Sequence, residues 1–278
     1  MNFENNTSMK TLGPQTARLV TTLYEEYKLI FRLEDVRRIL HIEKASARSL
    51  MRKLVNRGVV TRLKPGLFIL VPFELGKENE YMGNPLILAR ELTEGKDYYL
   101  SHGTAMEIHG MVTQPQFVVH VMTMKKRRSI NILGTEFQFI NCKKEHFFGM
   151  SEHWVSKQEK VMVSNREKTI IDCLRQTEHC GGITEAAKGI WIRRLDLNVD
   201  RLVKYAARMK IGAVIRRLGY ILEIYGIGTP ENHKTLQGLL TESYVKLDPI
   251  LPSEGKFIRK WRLQLNVSPN ELLSVVRT

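Results

Sequence analysis

The chain has 278 residues, enough for two domains or one large one, and its 43% hydrophobic and 26% charged residues supply a buried core and exclude disorder as the main state. No run approaches the ~18 uninterrupted apolar residues of a membrane span, and the polar first ten residues lack the apolar centre of a signal peptide, so the expected location is cytoplasmic, with no membrane partner. Forty-three Lys and Arg against 29 Asp and Glu leave a net charge of +14, a balance that favours a polyanionic partner, most often nucleic acid.

Residues 1–76 read as a winged helix-turn-helix, a DNA-binding domain. Gly13-Pro14 starts a helix, because the fixed φ of proline suits the first turn. Ala17, Leu19, Val20, Leu23 and Tyr24 then fall at helical spacing over 15–27. A second helix over 33–40 carries Leu33, Val36, Ile39 and Leu40 on one face, and a turn at His41-Ile42 separates it from a third over 44–56. Ala47, Leu50, Leu54 and Val55 form the apolar stripe of that third helix, and Gly58 ends it. The β-prone runs 59–63 and 67–71 flank Lys64-Pro65-Gly66 as a hairpin. Helix, helix, turn, helix and hairpin is the order of a winged helix-turn-helix.

The third helix must bury one face against the first two. Its other face holds Lys44, Ser46, Arg48, Ser49, Arg52 and Lys53, all basic or small and hydrogen-bonding. An α-helix fits the DNA major groove, where each base pair shows a distinct donor and acceptor pattern. Arg48 and Arg52 are one turn apart and present forks suited to guanine edges. Arg62 and Lys64 on the wing are expected to reach a phosphate or the minor groove. Between positions 32 and 64 there are ten Lys or Arg and three Asp or Glu, a local balance of +7 and half of the total excess.

Positions 73–84, interrupted by Gly76, Lys77, Glu78, Asn79, Glu80 and Gly83, read as a linker. Residues 85–278 then mix strands and helices and predict an α+β domain. Helices are expected over 85–92, over 102–109 with Ser101 as its cap, and from Arg166 through Arg175 behind a Ser164-Asn165-Arg166-Glu167 capping box. More follow over 183–193, 199–209, 213–225 and 230–241, and a short one after Ser268-Pro269-Asn270-Glu271. Strands are expected over 97–100, 118–124, 129–133, 136–142, 159–163, 245–247 and 258–265. This part is basic too, with 29 Lys or Arg against 20 Asp or Glu over 81–278. Lys125-Lys126-Arg127-Arg128, together with Arg193, Arg194, Arg208, Lys210, Arg216 and Arg217, suggests a second electrostatic surface for DNA backbone, RNA or an acidic protein.

Catalytic and metal-binding patterns are missing. There is no phosphate-binding Gly-x-x-x-x-Gly-Lys-Ser/Thr loop, no Gly-x-Gly-x-x-Gly, no His-Glu-x-x-His and no Gly-x-Ser-x-Gly. The three cysteines, Cys142, Cys173 and Cys180, form no Cys-x-x-Cys pair and read as buried free thiols. Glu94-x-Lys96 and Glu254-x-Lys256 lie in loops beside glycine, without the neighbouring metal ligand a nuclease needs. The chain is therefore expected to bind rather than catalyse, without metal or cofactor. Asp172, facing inward on its helix, is expected to be a buried, hydrogen-bonded acid.

Several segments, in order, carry a family likeness. Ser101-His102-Gly103-Thr104-Ala105-Met106-Glu107-Ile108-His109-Gly110 resembles the Ser-His-x-x-Ala-x-x-x-His-Gly element of the AbiEi antitoxins of bacterial abortive-infection systems. Arg166-Glu167-Lys168-Thr169-Ile170-Ile171-Asp172-Cys173-Leu174 resembles that family's capped helix, and Gly181-Gly182 and Arg216-Arg217-Leu218-Gly219-Tyr220 resemble further elements. The resemblance covers nearly the whole chain. It implies an antitoxin domain over 85–278 that neutralises a cognate nucleotidyltransferase toxin, AbiEii. It also implies repression of the operon through inverted repeats in double-stranded promoter DNA. As these systems are type IV, neutralisation need not involve a stable complex. The alternative is a stand-alone winged-helix regulator whose larger domain dimerises or senses a ligand.

Overall fold

The computed structural model describes residues 12–76, 80–112 and 114–274. Positions 1–11, and Lys77, Glu78 and Asn79 of the expected linker, lie outside the described residues. The fold is mixed α+β: a winged helix-turn-helix followed by a larger part in which a mixed sheet meets a helical bundle.

The N-terminal unit runs α1 (Pro14–Glu25), β1 (Ile30–Arg32), α2 (Leu33–Leu40), α3 (Lys44–Asn56), β2 (Val60–Lys64) and β3 (Leu67–Leu70). Asp35 sets the start of α2: its carboxylate accepts the Arg32 backbone N–H at 2.8 Å and the Lys28 ammonium at 2.6 Å. His41, in the left-handed region at φ 53°, ends α2 and turns the chain into α3. The three strands form an antiparallel sheet in the order β1-β3-β2. Leu19, Leu23, Phe31, Val36, Met51, Leu54 and Phe68 close the core beneath the helices.

All four residues of β3 are buried. Strand side chains alternate between faces, so Phe68 and Leu70 meet the helices while Leu67 and Ile69 point the other way. There Leu67 and Ile69, with Ile30 and Leu63, share a second core with Leu88, Leu100, Val121 and Val163 of the larger part. Two buried faces explain the uninterrupted apolar run that marks this strand in the sequence. The winged unit is therefore packed onto its neighbour as well as joined to it.

The larger part opens with α4 (Pro85–Leu92), capped by Asn84, whose side-chain oxygen accepts from the Leu86 N–H at 2.8 Å. The sheet strands are β4 (Tyr98–Leu100), β5 (Val118–Thr123), β6 (Ile130–Ile132), β7 (Thr135–Asn141), β8 (Met150–Trp154) and β9 (Lys160–Ser164), in the order β6-β7-β5-β4-β9-β8. Helix α5 (His102–Ile108) interrupts them after β4. Next come α6 (Arg166–Arg175), α7 (Gly182–Ile192), α8 (Val199–Met209), α9 (Gly212–Ile224) and α10 (Pro230–Gly238). A small sheet of β10 (Val245–Lys246), β11 (Lys256–Ile258) and β12 (Leu263–Leu265), and α11 (Pro269–Leu273), complete the described chain. No described helix is long and apolar enough to cross a membrane.

Several elements differ from expectation. Strands β1 and β8 carry only weak sequence signals: β1 is three residues long, and β8 is an edge strand of largely polar residues. The expected strand 258–265 is two strands, because Trp261 turns into the helical core and Arg262 adopts φ 50°. Helix α6 is capped one residue later than expected. Asn165 accepts from the Lys168 N–H, leaving the Ser164 hydroxyl to meet Thr169 at 2.8 Å. Ser268 caps the Asn270 N–H, while Glu271 accepts from Thr184 in place of closing a box.

The shared core makes a testable demand. Leu67→Ala should cost about 2–5 kcal/mol, as for other large-to-small changes at fully buried sites. Urea unfolding of the full chain should remain one transition when followed by tryptophan fluorescence and by far-ultraviolet circular dichroism. Two separated transitions would contradict a continuous seam.

Candidate nucleic-acid interface

Helix α3 buries Ala47, Met51 and Leu54. At 3.6 residues per turn, that stripe forces Lys44, Ser46, Arg48, Ser49, Arg52 and Lys53 outward, and all six are exposed. They form two flanks. Lys44, Arg48 and Arg52, each one turn from the next, face the wing; Ser46 and Lys53 lie along the far edge, with Ser49 between the two flanks.

Between the first flank and the wing runs a groove of about 620 Å³. Lys44, Arg48, Arg52 and Arg62 line it, over Leu33, Met51, Val55 and Phe68, with Pro65 and Gly66 at the wing turn. Glu34 also contributes to the lining. The ion pairs of this unit are elsewhere, joining Lys28 to Asp35 and Arg38 to Glu26 and Asp35. Among the described residues, none of the four groove cations forms one. Four unpaired cations along one groove repel each other and attract a polyanion.

Lys64 takes a different position from Arg62. The β2–β3 register shifts between the two residues, which breaks their alternation. Arg62 stays exposed beside the groove, whereas Lys64 is half-buried on the side of the larger part. Burial, and then the nearby Arg32 and Arg127 cations, lower its pKa. Arg32 donates to the Glu91 carbonyl at 2.7 Å and Arg127 to the Leu92 carbonyl at 3.1 Å. Both guanidinium groups thus sit on the C-terminal end of α4, where the helix dipole favours positive charge. The exposed Lys125-Lys126-Arg127-Arg128 loop is thereby anchored beside the base of the wing.

The other basic residues of the larger part are not one free surface. Arg216 and Arg217 are buried on α9. Arg216 donates to the Thr241 and Ser243 carbonyls, and Arg217 to those of Leu174 and Lys246. These two are fasteners between α9 and its surroundings, which corrects their expected place on a surface. Arg193 donates to the Gly110 carbonyl, Arg194 lies 3.9 Å over the Trp191 ring and Arg208 3.8 Å over that of Phe148.

The segments that carry the family likeness are largely internal. Ser101 begins α5 without a side-chain cap; its hydroxyl lies 2.9 Å from His102 Nδ1 instead. His109 donates to the Ser164 carbonyl at 2.6 Å, tying α5 to the start of α6. Asp172 is fully buried, as expected. It accepts from Lys168, also fully buried, and from Tyr99 at 3.2 Å. Gly219 has no room for a side chain, because Trp261 packs against it. All three cysteines are buried and unbridged.

His102, His120 and His179 form a cluster not expected from the sequence, with ring centroids 5.2 to 6.3 Å apart. His102 Nε2 and His120 Nδ1 are buried with no hydrogen-bond partner. Among the described residues, no group of His, Cys, Asp and Glu is arranged to hold a metal ion. Burial, then His179 and His120, hold His102 well below the ordinary histidine range. Burial and then His179 push His120 down to about 4, and burial lowers His179 against the opposing Glu178 carboxylate.

These imidazoles therefore stay neutral in the fold at pH values where the unfolded chain takes up protons. Their contribution to stability is full above the ordinary value near 6.5 and is lost as pH falls below it, for His120 down to about 4. For His120 alone the difference is worth roughly 3 kcal/mol. Unfolding free energy measured by urea at pH 7, 6 and 5 should fall stepwise, and His120→Gln should flatten the decline. Equal slopes in the two proteins would contradict this.

No protein-family model matches the sequence, and no curated protein does. Among solved structures, the crystal structure of the RV2827C protein from Mycobacterium tuberculosis matches with a TM-score of 0.71. The match covers 99% of this chain and 98% of that one, at 14% sequence identity. The α+β architecture, winged unit included, is thus similar to a known fold over its full length.

Proposed function

We propose that this chain is a double-stranded-DNA-binding autorepressor and antitoxin of the AbiEi kind, acting by binding and without catalysis. The observation that carries the DNA reading is the groove in which Lys44, Arg48, Arg52 and Arg62 stand unpaired between α3 and the wing. In this reading α3 enters the major groove of inverted repeats in the promoter. Arg48 and Arg52 contact guanine edges, Ser46 and Ser49 hydrogen-bond nearby, and Lys44, Lys53 and Arg62 meet phosphates. Lys64, with Arg127 beside it, faces the backbone just past the wing.

The antitoxin reading rests on the ordered resemblance of four segments to the AbiEi family. Its target is a nucleotidyltransferase toxin, with no stable complex required. Internal placement of most of those segments assigns them to holding the domain, so neutralisation would fall to the surface around them. The proposed setting is the cytoplasm.

Two experiments test these roles. In gel shifts on the DNA upstream of its own gene, Arg48→Ala should lose about 1–3 kcal/mol and relax specificity at one position. Arg62→Ala should weaken all sequences alike and lower the salt slope by about one. Unchanged binding by both variants would reject the interface. Co-expression should use the full chain, since the winged sheet helps fill the larger core. The Arg48→Ala/Arg52→Ala double variant should still restore growth of cells making the toxin. Failure to do so, despite soluble expression and rescue by the unaltered protein, would mean that neutralisation runs through DNA binding. No rescue by the unaltered protein would leave a stand-alone regulator.

A further inference from the structure

The outward apex of α3 is neither basic nor long. Each residue turns the helix by about 100°, so the direction opposite the buried Ala47, Met51 and Leu54 falls between Ala45 and Ser49. Ala45 is exposed, in the first turn, with Arg48 and Arg52 on one side and Ser46 and Lys53 on the other. A methyl group and a hydroxyl at the apex let the helix backbone approach the floor of a groove closely, while the long cations on the flanks span to its walls.

The residue types restrict what such a helix can read. Positions 44–53 contain no Asn, Gln, Asp or Glu. Asparagine and glutamine are the side chains that grip adenine at two points, and acidic ones accept from cytosine. Asn56 is exposed on the same line of the helix and also lines the groove, but it lies three turns beyond Ala45 and would meet a base pair near the far end of the helix rather than the one at Ala45. The apex can therefore sense an A·T pair through the apolar group that pair displays in the major groove, the C5-methyl of thymine.

Resting on the DNA-reading proposal, we infer that Ala45 is a specificity-determining residue, whose methyl packs against a thymine methyl close to the guanine read by Arg48. The spacing follows from the helix. Three residues separate Ala45 from Arg48, about 4.5 Å along the axis at ~1.5 Å each. With base pairs ~3.4 Å apart and the helix lying along the groove, thymine and guanine are one or two base pairs apart. Arg52, seven residues from Ala45, reaches about three base pairs from the thymine.

The experiment separates this inference from the reading beneath it. Selection from a random duplex library with the full-length protein identifies the preferred sequence. Each thymine of that sequence is then replaced singly by deoxyuridine, which removes only the methyl group, and affinity is measured for the unaltered protein and for Ala45→Gly. One replacement, within two base pairs of a required guanine, should weaken the unaltered protein about fourfold, the worth of one buried methyl. The same replacement should leave Ala45→Gly unchanged. Each comparison uses two probes on one protein, so any folding loss in the variant cancels. Insensitivity to every deoxyuridine, or equal sensitivity in Ala45→Gly, would overturn the inference while leaving DNA reading intact. A selection that enriches no sequence would remove both.

Discussion

The structure depends on burying both faces of one short sheet. Leu67 and Ile69 point into the larger core while Phe68 and Leu70, on the same strand, close the core under the helices. A three-stranded sheet is a weak unit with one face wet; covered on both sides, it becomes the seam of the molecule. Covering the rear of the winged unit in this way decides which of its surfaces remains open. Helix α3 packs with the other helices on the face of the sheet away from the seam, and the wing turn lines the groove beside it, so the exposed cations are held on a packed support. Rigid support matters for recognition, because base contacts reward only side chains already close to the right geometry.

The cations of this chain fall into two populations. Arg216 and Arg217 point into the protein and use their several donors to tie α9 to carbonyls of other segments. Arg193, Arg194 and Arg208 likewise lean on carbonyls or aromatic faces. Lys44, Arg48, Arg52 and Arg62 have no such occupation, although Glu34 lies in the same groove. Net charge alone conceals this division. A buried guanidinium cements the fold, whereas an unpaired row of them carries an electrostatic cost that a polyanion relieves. The Lys125–Arg128 loop stands between the two: Arg127 is fastened to the end of α4, yet the loop remains exposed next to Lys64.

Much of the winged unit is legible from sequence, since its signals are local. The bounds of α2 and α3 follow from apolar spacing and from the expected turn at His41-Ile42, and the wing follows from two β-prone runs around Lys64-Pro65-Gly66. Strand β1 escapes notice because three residues carry little pattern and its partner, β3, is far along the chain. The side of the wing on which Lys64 lies is set by a register shift that no residue type announces. The burial of Arg216 and Arg217 had a usable sign: Val214, Ile215, Leu218, Ile221 and Leu222 make α9 apolar around most of its circumference, and such a helix is enclosed. The histidine cluster is assembled from α5, β5 and the turn before α7, segments that only the folded chain brings together. Alanine carries no charge, so residue type gives Ala45 no mark, and only its place on the helical wheel sets it apart.

DNA reading by this chain requires a duplex to lie against α3. Backbone amide hydrogen exchange of the full chain, with and without its upstream duplex, tests this most directly. Bound DNA should slow exchange over 44–53 and 62–66 and leave the deep helices α7 and α9 unchanged. Slowing confined to residues 85–274, with α3 and the wing as accessible as in the free protein, would contradict it.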